Sequence, residues 1–187
     1  MLDKPLDLAK ARILVSNDDG VHATGLKMLV RIARRMAKEV WVAAPEVEQS
    51  AASHSLTLRR PLRIRRLAAR RYAIDGTPTD AVMLALRQIM KDNPPDLLLS
   101  GVNRGGNLGE DVTYSGTIAA AMEATLLGVP AIALSQERRD GNRTPWKTAE
   151  HHLEKVVRSL VSVPWPSGVL MNVNFPGVAP GAVVGVE

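Results

Sequence analysis

Ile13-Leu14-Val15-Ser16-Asn17-Asp18-Asp19-Gly20 decides the fold. Its apolar half has the length of a buried strand, and its polar half has the residues that end one. The ligand sites of open α/β sheets lie just outside the carboxyl ends of strands, which is where Asp18 and Asp19 fall. Two adjacent carboxylates repel each other and resist desolvation unless a cation neutralises them. Gly20 permits the sharp reversal that turns neighbouring side chains toward one ion. Asn, Asp and Gly are equally the residues of an ordinary turn. On the tetrapeptide alone the two readings weigh the same.

Outward from this stretch, helical and strand patterns alternate. A helix is predicted over 26–38, with Leu26, Leu29, Ala33 and Met36 on one face and Arg31, Arg34, Arg35 and Lys38 on the other. A strand over 40–44 follows, stopped by Pro45. Two short strands over 62–66 and 71–74 read as a hairpin. Thr77 or Thr79 is placed to cap a helix over 81–90. Then come a strand over 96–100, a Gly-rich loop over 101–114, a helix over 115–127, and strands over 131–135 and 169–173 around a helix over 146–161. Strands separated by helices of this length imply a parallel sheet covered on both sides. The fold class is therefore α/β, with a mostly parallel sheet and a small β-rich insert.

The 187 residues suit one ordinary domain with a substantial core. A hydrophobic fraction of 45% and a mean hydropathy of −0.03 fit a water-soluble protein, and no apolar run is long enough for a bilayer. The N-terminus has no apolar core of a secretory signal. The chain has no cysteine, which excludes disulfides, thiolate metal sites and a cysteine nucleophile, and fits a cytoplasmic location. The net charge of +5 favours anionic partners. Much of it sits in Arg59, Arg60, Arg63, Arg65, Arg66, Arg70 and Arg71. That cluster reads first as a solvated edge strand whose charges block edge pairing, and second as a polynucleotide surface. Few aromatics lie nearby for base stacking.

Two further segments carry chemistry. Pro45-Glu46-Val47-Glu48-Gln49-Ser50-Ala51-Ala52-Ser53-His54-Ser55 leaves the second strand at the same sheet edge as Asp18 and Asp19. Ser50 is its candidate ligand for a hard cation, against the reading of a polar loop with a cap. His54 is a candidate acid or base, with a structural role favoured. Ser100-Gly101-Val102-Asn103-Arg104-Gly105-Gly106-Asn107-Leu108-Gly109, followed by Tyr114-Ser115-Gly116-Thr117, ends a strand in a flexible loop and opens a helix with hydroxyl residues. Helix N-termini suit a phosphate. Tyr114 reads either as a base-stacking group or as packing near the helix start. The spacings of a P-loop, of G-x-G-x-x-G and of a G-x-S-x-G elbow are absent, and Asp18-Asp19 is not the D-x-D of aspartyl-phosphate phosphatases.

Taken in order, VSNDDGVHATG, APEVEQSAASHSLTL, DGTPTDAV, SGVNRGGNLGEDVTYSGT and LMNVNFP closely resemble the SurE family of stationary-phase survival proteins, over 13–176. The resemblance implies a Rossmann-like three-layer α/β/α core and a phosphomonoesterase that hydrolyses nucleoside 5′- and 3′-monophosphates, with short polyphosphate in some members. It implies one divalent metal ion, Mg²⁺ or Mn²⁺, held by Asp18, Asp19, Ser50 and Asn103, with Asp18 and Asp19 catalytic. It places phosphate contacts at Asn107, Ser115, Gly116 and Thr117, with Gly105 and Gly106 shaping the loop. An all-oxygen ligand set with neutral Ser and Asn agrees with a hard cation and argues against zinc. Family members often carry Pro at the position of Gly106, so a looser loop is expected. They continue past Glu187 into a hairpin and helix used in subunit exchange. The chain is therefore expected to be a single SurE-like α/β domain, 1–187, without that extension. Its expected partners are nucleoside monophosphates and its own copies, as homodimer or homotetramer, with no membrane and no stable nucleic-acid complex. The rival reading is a non-catalytic nucleotide or nucleic-acid binding module using the Arg-rich insert.

Overall fold

The computed structural model describes residues 2, 4–138 and 144–186. Among them, seven strands form one sheet in the order β3-β4-β2-β1-β5-β6-β7. The strands are β1 (Arg12–Ser16), β2 (Glu39–Pro45), β3 (Ile64–Ala68), β4 (Arg71–Ile74), β5 (Leu97–Arg104), β6 (Ala131–Gln136) and β7 (Met171–Phe175). All neighbours run parallel except β3 and β4, the expected hairpin. The helices are α1 (Thr24–Met36), α2 (Pro78–Leu84), α3 (Asp111–Tyr114), α4 (Gly116–Leu126) and α5 (Trp146–Val161).

Alternation along β1 divides the core. Ile13 and Val15 face α1 and α5, packing with Leu26, Leu29, Ile32, Leu153 and Val157. Leu14 faces α2 and α4, packing with Ala81, Val82, Ile118 and Ala121. The result is the three-layer α/β/α arrangement, driven by burial of about 1.5–3 kcal/mol per large side chain. On the outer face of α1, Arg31 reaches Glu150 of α5 at 2.6 Å and Arg35 reaches Glu154 at 3.4 Å. Such exposed pairs contribute little, so this face is the solvated one its spacing predicted.

Several boundaries differ from the sequence reading for identifiable reasons. α1 begins at Thr24 and stops at Met36, because Ala37 is already extended. α2 starts at Pro78, where Thr77 and Asp80 form a capping box, and it continues as a π turn over Ala85–Ile89. β7 is shifted two residues toward the C-terminus of its predicted span.

The largest difference lies in β5, which runs on to Arg104 through residues that read as loop. Gly101 has φ +129, and a Cβ there would stand 2.2 Å from the Leu134 carbonyl. The register with β6 shifts between Gly101 and Asn103, so Val102 is buried on the α1 face although strict alternation turns it away. The bulge thereby carries Asn103 to the sheet edge on a strand rather than on a loose loop.

The Arg-rich insert is largely committed to the chain's own acceptors. Arg60 makes two 2.9 Å contacts with the Asp75 carboxylate, Arg65 pairs with Glu46, and Arg70 lies 3.5 Å from Glu39 and over the Trp41 ring. Arg71 donates to the Val21 carbonyl. These are the contacts of a sheet edge and support the first reading of the cluster.

Candidate active site

From β1 the chain builds the sheet toward β2 and β4, then crosses back to add β5, β6 and β7 on the other side. The reversal falls between β1 and β5, and crevices in such sheets form at that point. A cleft of about 640 Å³ opens there, lined by Asp18, Asp19, Ser50, Asn103, Asn107 and Ser115 among others. Residues from four separate segments of the sequence thus meet at one sheet edge.

Their hydrogen bonds follow a common pattern. Asp18 Oδ1 accepts from the Thr117 hydroxyl at 2.6 Å, leaving Oδ2. The Ser50 hydroxyl donates to Glu48 Oε1 at 2.7 Å, so its lone pairs are unencumbered by its own proton. The Asn103 side-chain nitrogen donates to the Gly105 carbonyl at 3.0 Å, which leaves Oδ1. At Ser50 and Asn103 the residue's own proton is tied back, at Asp18 one carboxylate oxygen accepts, and at each an oxygen remains to ligate.

The loop bearing Ser50 is fastened along its length. The Gln49 N–H donates to the Asp18 carbonyl at 2.8 Å, and the Ser53 N–H to that of Tyr114 at 3.2 Å. The Ser53 hydroxyl donates to the Thr113 carbonyl at 2.8 Å. Farther on, the Thr57 hydroxyl and N–H both bond the buried Asp80, at 2.6 and 3.1 Å. Asp80 is the residue that completes the α2 capping box.

Burial pushes the Asp18 carboxyl above the usual range, against the steadying Thr117 hydroxyl. Asp19 is half-buried and pushed up to about 6, by burial first and then by the Asp18 and Glu48 carboxylates, with Arg104 acting the other way. The cleft wall also includes Asp111 and Glu137 against Arg104 and Arg138. An anion meets an acidic lining here unless a cation intervenes. Among the described residues no group of three or more His, Asp or Glu is placed to hold a metal. The oxygens of Asp18, Asp19, Ser50 and Asn103, two charged and two neutral, are of the kind that fits a hard ion.

Asn107, Ser115, Gly105 and Gly106 line the cleft as the sequence reading expected of phosphate contacts. Thr117 does not. It is fully buried, and its hydroxyl is spent on Asp18. Gly116 also sits behind the cleft, where an added Cβ would stand 2.6 Å from Asp18 Cβ. Both residues shape the seat of Asp18. The Ser115 hydroxyl caps α4 by accepting from the Ile118 N–H at 3.1 Å. His54 lies outside the lining residues and bonds Glu123 at 2.9 Å, which is the structural role. The sequence reading passed over Glu48, Arg104, Asp111, Glu137 and Arg138. Glu48 and Arg104 adjoin or nearly adjoin singled-out ligands, and spacing relative to Ser50 and Asn103 was the available signal.

The family model described as "Survival protein SurE" matches residues 13–187. The chain belongs to the SurE family. Its relatives there include the 5′-nucleotidase SurE of Paramagnetospirillum magneticum, 59% identical over 97% of this chain and 70% of that protein. The 5′-nucleotidase SurE of Parvibaculum lavamentivorans is 56% identical over 94% of this chain and 64% of that protein. Among solved structures, the SurE protein of Aquifex aeolicus superposes with a TM-score of 0.86 at 36% identity, over 94% of this chain and 70% of that one. The chain thus spans about two thirds of the length of these SurE relatives.

Proposed function

We propose that this chain is a divalent-metal-dependent phosphomonoesterase hydrolysing nucleoside 5′- and 3′-monophosphates, with Asp18, Asp19, Ser50 and Asn103 as the metal ligands. The observation that carries the reading is the shared hydrogen-bond pattern, in which Asp18, Ser50 and Asn103 each keep an oxygen for a cation at one cleft. The names of the relatives support the reaction class. The ion is Mg²⁺ or Mn²⁺, as the all-oxygen donor set favours.

When bound, the ion supplies Lewis acidity toward the phosphoryl oxygens and the attacking water. The residues of the chain position the reaction. Asn107, Ser115 and the Gly105-Gly106 backbone hold the phosphate, aided by the positive end of α4. Thr117 and Gly116 fix Asp18. Asp19 orients the water for in-line attack on phosphorus; the P–O ester bond breaks as the new P–O bond forms, and the proton the water gives up balances the one the departing nucleoside oxygen takes up from solvent. The family's assembly as homodimer or homotetramer and a cytoplasmic location belong to the same proposal. Among the described residues no helix is long and apolar enough to cross a membrane.

Phosphate release from a chromogenic phosphomonoester tests the reading. Activity is expected with Mn²⁺ and absent with chelator. A nucleoside monophosphate panel then ranks substrates. Chelator-insensitive binding to polynucleotide without phosphate release would favour the rival binding module instead.

A further inference from the structure

The motif Met171-Asn172-Val173-Asn174-Phe175 forms β7, at the edge of the sheet, and the proposed chemistry assigns it no part. Alternation puts Asn172 and Asn174 on one face of β7 and Met171, Val173 and Phe175 on the other; the latter three belong to the α1–α5 core. The two asparagines reach Asn107, some 65 residues earlier in the chain. Asn174 Oδ1 accepts from the Asn107 N–H at 2.8 Å, and Asn174 Nδ2 donates to the Asn107 carbonyl at 3.3 Å. Asn172 Nδ2 donates to the same carbonyl at 2.9 Å. Asn174 Nδ2 also reaches Asn172 Oδ1 at 3.3 Å, joining the pair. From β6, where Ser135 is in register with Asn174, the Ser135 hydroxyl accepts from Asn107 Nδ2 at 2.7 Å. The backbone donor and acceptor of Asn107 and one hydrogen of its side-chain amide are thus engaged by two adjacent strands; the second amide hydrogen is left for the cleft that Asn107 lines.

We propose that Asn172 and Asn174 are positioning residues for the phosphate, clamping the backbone of Asn107 so that the Gly105–Asn107 loop presents a fixed surface to the phosphoryl group. The primary amide of Asn174 imitates a neighbouring strand: it offers one acceptor and one donor to the backbone of a residue that is in no strand. This matters because the other holds on the loop, such as the Asn103 amide on the Gly105 carbonyl at 3.0 Å, act on Gly105 and leave the stretch after it to the clamp. Gly105 and Gly106 are adjacent and half-buried; a Cβ on Gly105 would meet only the Arg138 side chain, at 3.7 Å, and one on Gly106 would meet the Glu137 side chain at 3.3 Å and Asn174 Oδ1 at 3.5 Å. Two such glycines leave a chain that samples many conformations, and a binding surface made from it loses affinity to ordering entropy unless something else fixes it. The clamp fixes the loop just after the glycines, while the bond from the Gly105 N–H to the Gln136 carbonyl at 3.0 Å fixes it before them. The arrangement answers the looser loop expected from Gly106, because the stiffness comes from β7 rather than from the loop's own sequence.

The inference rests on the proposed phosphate site, so the test separates the two. Inorganic phosphate is used as a competitive inhibitor of chromogenic phosphomonoester hydrolysis, and Mn²⁺ affinity is measured independently by calorimetry. In Asn174→Ala the inhibition constant for phosphate and KM are expected to rise about tenfold, the equivalent of losing ~1.4 kcal/mol. Asn172→Ala is expected to raise them about threefold. Mn²⁺ affinity stays within twofold of wild type in both, since no metal ligand is touched. A merely structural role would lower the melting temperature without selectively weakening phosphate. An unchanged phosphate inhibition constant in Asn174→Ala, with wild type inhibited normally, overturns the clamp alone. Wild-type protein that binds Mn²⁺ but is not inhibited by phosphate overturns the phosphate-site reading and the clamp with it.

Discussion

Replacing Asp19 by Asn is expected to stabilise the metal-free protein while removing its function. Asp19 is held near 6 rather than 3.8 by burial and by the carboxylates of Asp18 and Glu48. Because the folded-state value is raised, the folded protein binds this proton more tightly than the unfolded chain. The penalty is therefore absent below about pH 4, grows as pH rises through 6 and is complete above it. At 1.36 kcal/mol per pH unit it amounts to about 3 kcal/mol at most, and solvent screening of a half-buried group reduces it to roughly 1–2 kcal/mol. For a chain of this size that is a rise in melting temperature of roughly 2–8 °C. Calorimetry or dye-based melting in chelator, at pH 7.5 and at pH 4, reads it directly. Asp19→Asn should melt higher than wild type at pH 7.5 and about equally at pH 4. Saturating Mn²⁺ should reverse the order, because only wild type gains binding free energy. Phosphatase activity should be lost throughout. A variant that melts lower than wild type in chelator at pH 7.5, or that gains as much from Mn²⁺, would refute the reasoning.

Gly116→Ala pushes a methyl against Asp18, within 2.6 Å of its Cβ and 2.9 Å of Oδ2; kcat/KM should fall roughly hundredfold with an unchanged circular dichroism spectrum. Thr117→Val keeps the volume and removes the hydroxyl that bonds Asp18; Mn²⁺ affinity measured by calorimetry should fall about tenfold. Arg59→Glu and Arg63→Glu lie on the exposed insert and should leave kcat/KM within about twofold of wild type; a large loss would move that face into the substrate path.

The fold was readable because its elements declare themselves locally. Leu26, Leu29, Ala33 and Met36 keep helical spacing, and the runs at β1, β5 and β6 are too short and too apolar for anything but buried strands. The sheet edge common to Asp18, Ser50 and Asn103 followed from their each succeeding a strand. What escaped the sequence was direction. A reader of SGVNR sees glycine and a loop, and the bulge that keeps Asn103 in the sheet depends on the carbonyl of Leu134, thirty-odd residues away. Ser-Gly-Thr announces a phosphate-binding helix start, yet Thr117 turns inward to Asp18, a partner set by tertiary packing. The contact of Asn174 with Asn107 has no local signature, because an asparagine in an edge strand is equally at home in water.

The fastening of the Ser50 loop to Asp18, Tyr114 and Asp80 bears on which ion the proposed site would take. A donor on a free loop can retreat to suit a large cation. Around Ser50, the bonds of Gln49 and Ser53 on either side would resist such a retreat. Mg²⁺ sits at about 2.0–2.1 Å from its oxygens and Ca²⁺ at about 2.3–2.6 Å, so at the proposed ligand set the larger ion would have to push the Ser50 loop outward. With Ser50 as a ligand, as proposed, discrimination by ionic radius would draw in part on the Thr57–Asp80 hydrogen bonds, remote from any oxygen that touches the metal.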